Sequence, residues 1–99
     1  MYIPITGLTG TEIAAKLKGF YAQGDIGSIC DILIQMPVNT FIYIEAYNGT
    51  YTIEKINDTF MCWNVQEPPF YDFTNLSDYA TAKKIYELKY VKSVDVKFK

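Results

Sequence analysis

Two runs rich in aromatic and β-branched residues, Thr40 to Tyr47 and Thr50 to Ile56, are separated by Asn48-Gly49. That dipeptide suits a tight type I′ turn, whose two central residues both take positive φ, and runs of this composition form strands. The middle of the chain is therefore a hairpin. Asn57-Asp58 makes a second turn into Thr59 to Val65, so the segment from about 40 to 65 reads as a three-stranded antiparallel meander. Counting outward from Asn48-Gly49 pairs Tyr47 with Thr50 and Glu45 with Thr52, and leaves Glu54 facing Tyr43. Alternation puts Ile42, Ile44 and Ala46 on one face of the first strand and Phe41, Tyr43, Glu45 and Tyr47 on the other. The aliphatic face is the expected core. The tyrosine face, with Tyr51 raising the same question, lies under a helix, in a partner or in water. In the third strand Met61, Trp63 and Val65 alternate with Phe60, Cys62 and Asn64, and Trp63 and Val65 are expected inside.

Helices flank the meander. Thr9 and Glu12 have capping-box spacing, Ile13, Leu17, Phe20 and Tyr21 form one apolar stripe with Lys16 and Lys18 off it, and Gly24 offers a left-handed stop, which predicts a helix over 10–23. Ser28 to Met36 fits a helix through Ile29, Ile32, Leu33 and Met36, and a buried strand through Ile32-Leu33-Ile34; the helix is favoured, with Ser28 and Asp31 in its first turn and Pro37 as its stop. Gln66 to Thr74 carries Pro68-Pro69 and reads as a loop. Asn75 or Ser77 caps a helix over about 76–88, with Leu76, Tyr79, Ala80, Ala82 and Tyr86 as inner candidates. Tyr2 to Ile5 has the composition of a short edge strand, and Val94, Val96 and Phe98 alternate with polar residues in a terminal strand. The expected fold is α+β in a single globular domain over 1–99: an antiparallel β-meander at about 40–65 plus a C-terminal strand, with two or three helices packed on one face. Its core is Ile13, Leu17, Phe20, Ile29, Leu33, Ile42, Ile44, Ile53, Trp63, Val65, Ile85, Val94 and Val96.

With 99 residues, 49% hydrophobic and 20% charged, the chain is long enough for one core and too short for two. It has no histidine, which removes imidazole acid-base chemistry, histidine metal sites and the serine-histidine and cysteine-histidine pairs. It has no arginine either, and so lacks the bidentate fork for phosphate, carboxylate and guanine. Glu45 and Glu54, on opposite hairpin strands, are the candidate carboxylate pair for a small enzyme, against the plainer reading of solvated strand charges. Gly7 and Gly10 flank Thr9 without the lysine-threonine of a phosphate loop, and serve as a flexible lead into the helix. Cys30 and Cys62 have no metal-ligand spacing and read as buried free thiols, with a disulfide worth roughly 3 to 4 kcal/mol as the other possibility. No catalytic, cofactor-binding or metal-binding residue is assigned, and no cofactor is expected.

Charge is unevenly placed. Residues 1–82 hold three lysines against nine acids, a net of −6, and residues 83–99 hold six lysines against two, a net of +4. In the basic end Lys83, Lys84, Lys89 and Lys92 interleave with Tyr86 and Tyr90, a composition that joins phosphate attraction to base stacking; the plainer reading is a solvated face. Phe70, Tyr71 and Phe73 follow the prolines as either a lid on the core or anchors for a partner protein. The start, Met1-Tyr2-Ile3-Pro4-Ile5, lacks a basic region and an apolar core, and no apolar run reaches about 20 residues, so a soluble, unexported, cytoplasmic protein with no membrane partner is expected.

A chain rich in isoleucine and tyrosine, with lysine in place of every arginine, resembles the small orphan proteins of viruses that infect hyperthermophilic archaea, the filamentous lipothrixviruses in particular. The resemblance implies a thermostable protein in the host cell cytoplasm, of unassigned role and aimed at a host or viral protein. Asn48-Gly49 is a thermolabile kind of pair and argues for a cooler origin, where small inhibitors from phages of low-GC bacteria have a similar look. The expected function is a non-enzymatic protein-binding module, the alternatives being non-specific nucleic-acid binding by the basic end and a small carboxylate enzyme.

Overall fold

The Thr9 hydroxyl accepts from the Glu12 amide and the Glu12 carboxylate accepts from the Thr9 amide, so two of the donors left open at a helix start are satisfied reciprocally. This starts α1 (Gly10–Gln23); Gly24 ends it at φ 71°, its amide donating back to Tyr21. The chain turns at once into α2 (Ile26–Gln35), where Asp25 accepts from both the amide and the hydroxyl of Ser28. The ambiguous stretch is thus helical, and it begins ahead of Ser28 because Asp25 is the cap. This computed structural model describes residues 4–47, 49–64 and 72–98, with the backbone alone at 64 and 72–74.

After α2 come β1 (Thr40–Ala46), β2 (Gly49–Ile56), β3 (Thr59–Asn64), β4 (Asp72–Leu76), α3 (Asp78–Glu87) and β5 (Ser93–Phe98). The sheet order is β4-β3-β2-β1-β5 and all four pairings are antiparallel, the α+β arrangement that the sequence predicts. Several details differ. β4 occupies part of the segment expected to be a loop; it lies at the sheet edge and its pairing with β3 is irregular, which is where strands without a strong pattern are tolerated. The hairpin closes between Ala46 and Gly49, so Glu45 faces Thr50 and Tyr43 faces Thr52, while Glu54 lies opposite Phe41. Gly49, at φ 142°, is the first residue of β2 and not the second of the turn; Asn48 lies outside the described residues. At the N-terminus Pro4 and Ile5 are not in a strand, and Tyr2 and Ile3 lie outside the described residues.

The third strand faces the other way from the expectation. Register carries Ile53 onto Cys62 and Lys55 onto Phe60, so Phe60 and Cys62 go inside, and Met61 and Trp63 lie half-buried on the opposite face with Phe41 and Tyr43. A tight turn at Asn57, φ 56°, sets this parity, and the size of tryptophan does not override it. Of the expected core, Ile13, Leu17, Ile29, Leu33, Ile42, Ile44, Ile53, Ile85 and Val96 are buried; Phe20 and Val94 pack against it from partly exposed positions, and Val65 lies outside the described residues. Ile32, Met36, Phe60, Cys62 and Ala82 complete it, all three helices covering the aliphatic face of the sheet. In α3 the buried stripe is Thr81, Ala82 and Ile85, which leaves the expected inner residues Tyr79 and Tyr86 exposed. Thr81 can go inside because its hydroxyl donates to the Ser77 carbonyl at 2.8 Å.

Lys55 is the one charged side chain among the buried described residues. Its ammonium donates to the Leu33 and Ile34 carbonyls, 3.0 Å each, and stands 5.4 Å from the centre of the Phe60 ring. The last carbonyls of α2 are thereby satisfied by a cation at the negative end of the helix dipole. α1 packs directly against β5, the other sheet edge, and at Gly10 the approach is so close that a Cβ would stand 2.1 Å from the Val96 carbonyl oxygen.

Candidate binding surface at the α3–β5 connection

The connection from α3 to β5 is pinned on several sides. The Tyr21 hydroxyl donates to the Leu88 carbonyl, the Tyr47 amide to the Lys89 carbonyl at 3.3 Å, and the Lys92 amide to the Glu45 carbonyl at 2.7 Å. The Lys18 ammonium donates to the Lys92 carbonyl at 2.9 Å. Helix α1 and the hairpin end of β1 thus hold residues 88, 89 and 92 between them. In the middle of this tied segment Tyr90 sits at φ 54°, a left-handed conformation that a tyrosine adopts at a cost. Its ring meets Tyr47, at the β1–β2 turn, edge to face with centroids 5.9 Å apart, while 76% of Tyr90 and 78% of Tyr47 remain exposed.

Beside the pair Lys89, Lys92 and Lys18 are exposed, and on α3 Lys83, Tyr79 and Tyr86 are exposed. Five of the six residues that the sequence assigns to a basic binding face, namely Lys83, Tyr86, Lys89, Tyr90 and Lys92, are therefore displayed. The sixth is not: Lys84 is half-buried on the side of α3 that faces the sheet, where its charge acts on Cys62. Tyr47 also belongs to the surface, and the sequence pattern does not assign it there. Tyr47 is legible only as a tyrosine at a turn, since the partner that singles it out is 43 positions away in sequence and joins it through tertiary structure.

The other sequence candidates fare differently. Phe70 and Tyr71 lie outside the described residues, and Phe73 is placed by its backbone on β4 with no side chain described. Glu45 and Glu54 are not brought together, because Glu54 faces Phe41, four residues along β1 from Glu45, or about 13 Å at strand spacing. Among the described residues no group of three or more histidine, cysteine, aspartate or glutamate side chains is placed to hold a metal ion, and no helix is long and apolar enough to cross a membrane. Cys30 and Cys62 are free thiols, Cys62 buried as expected and Cys30 only partly buried. Burial pushes both upward from the ordinary thiol pKa, Cys62 to about 11 with Lys84 opposing part of the effect, and Cys30 with Asp78 and Asp31 adding to it. Neither is activated as a nucleophile. Comparison with family models, curated proteins and solved structures finds no match to this chain.

Proposed function

We propose that the protein is a non-enzymatic binding module that docks a partner protein on the Tyr47–Tyr90 surface. The observation that carries this reading is the conformation of Tyr90: a bulky residue stands where glycine or asparagine is favoured, and its ring is turned outward and not into the core. Two tyrosines held on a tied backbone present large, rigid, amphipathic area at small entropic cost, the character of interface anchors. The lysine-only composition suggests a viral setting, in which such a partner is a host or viral protein. Affinity capture from the producing cell, comparing wild type with the Tyr47→Ser/Tyr90→Gly double variant, tests the reading. The expected result is a protein retained by wild type and lost by the folded double variant; identical capture by both overturns it.

A second reading, single-stranded nucleic acid, is favoured by Lys83, Lys89 and Lys92 standing exposed beside Tyr86 and Tyr90. Three phosphate contacts give a log-log salt slope of about −2 on single strands. Fluorescence anisotropy with labelled oligo-dT at low salt decides it: binding with that slope, lost when the three lysines become glutamine, supports nucleic acid, and no binding leaves the protein partner.

A further inference from the structure

An open groove of about 250 Å³ runs between α1 and β5, lined by Thr11, Ala15 and Lys18 from the helix and by Ser93, Val94 and Asp95 from the strand. Contacts close both of its ends. At one, Gly10 lies against the Val96 carbonyl; at the other, the Lys18 ammonium is bonded to the Lys92 carbonyl. From Thr11 to Lys18 the helix rises about 10 Å, which is room for about three residues of extended chain. The side walls are small: the Ala15 methyl, the Thr11 methyl and the half-buried Val94. Its charged side chain is Lys18, at the Lys92 end; Asp95 pairs with Tyr43, so its carboxylate belongs to the face of β5 away from α1. The closed Lys18 end borders the candidate surface, since Lys92 is two residues from Tyr90.

We infer that this groove receives an extended segment of the partner protein, with an apolar side chain over Ala15 and Val94 and an acidic side chain at Lys18. The inference rests on the protein-binding reading of the Tyr47–Tyr90 surface and names the chemistry of what binds there. Charge complementarity supplies the direction: the carboxylate belongs at the lysine end. A short peptide with one acidic residue beside an apolar one matches a lining of one lysine and small apolar walls.

Panning a random peptide-phage library on the immobilised wild-type protein, then measuring the enriched peptides by anisotropy, tests the groove directly and needs no identified partner. The expected consensus joins an acidic to an apolar residue. Ala15→Trp, which fills the groove from an exposed helix position, weakens those peptides at least tenfold with an unchanged melting temperature, Lys18→Gln weakens them severalfold, and Tyr90→Gly also weakens them. Peptides that lose affinity with Tyr90→Gly but not with Ala15→Trp overturn the groove and leave the tyrosine surface standing. Loss with Ala15→Trp alone keeps the groove and overturns the reading on which it rests. No enrichment, or displacement of every enriched peptide by oligo-dT, overturns the inference.

Discussion

A single hydrogen-to-methyl change separates two glycines of α1. At Gly10 an added Cβ meets the Val96 carbonyl oxygen at 2.1 Å, and backbone must move to admit it; at Gly19 nothing lies within 4 Å. Gly10→Ala is therefore expected to destabilise by about 1 to 3 kcal/mol despite the better helix propensity of alanine, by pushing α1 off β5. Gly19→Ala is expected to stabilise by about 0.5 to 1 kcal/mol. Urea denaturation of the two variants checks both signs, and equal effects would contradict the close approach. None of this is legible in the sequence, where Gly10 reads only as part of a flexible lead into the helix.

Elements are legible where one local signal suffices. The Thr9–Glu12 box and Gly24 bound α1 on the predicted residues, and Ser77 is one of two candidate caps for α3. Register is harder. A two-residue shift in the hairpin leaves every side chain on its expected face, which is why the aliphatic core of β1 and β2 survives the misplaced turn, whereas a one-residue error in β3 puts Trp63 inside in place of Phe60 and Cys62. The inward lysine on β2 has no local signal either, because the carbonyls it serves belong to α2, 21 and 22 positions away. Lys55→Met keeps the apolar stem and removes the donors, stranding the Leu33 and Ile34 carbonyls. The expected loss is about 1 to 3 kcal/mol, read by chemical denaturation. Faster hydrogen exchange concentrated at the end of α2 would accompany it, and uniform protection at reduced stability would contradict the capping role.

For the whole molecule, the buried thiol sets a pH limit. The folded-state pKa of Cys62, about 11, lies above the ordinary thiol value of 9.0, so the folded protein holds its proton more tightly than the unfolded chain does. Its contribution is complete below about pH 9 and is lost as pH rises toward 11. Wild type should therefore lose melting temperature more steeply across that window than Cys62→Ala, and parallel profiles would contradict the burial of the thiol. The molecule's charge has the same layered origin: a basic end on an acidic body, with Lys89 and Lys92 exposed beside two tyrosines that the fold brings together from positions 47 and 90. The central claim is that Tyr90 is held in a left-handed conformation for its exposed ring and not for the fold. Thermal denaturation of Tyr90→Gly tests it most directly. Release of the strain offsets loss of the exposed ring contact, and the midpoint is predicted to stay level or to rise by about 2 to 6 °C. A fall of more than about 4 °C would show that the ring holds the structure together, and would contradict the account.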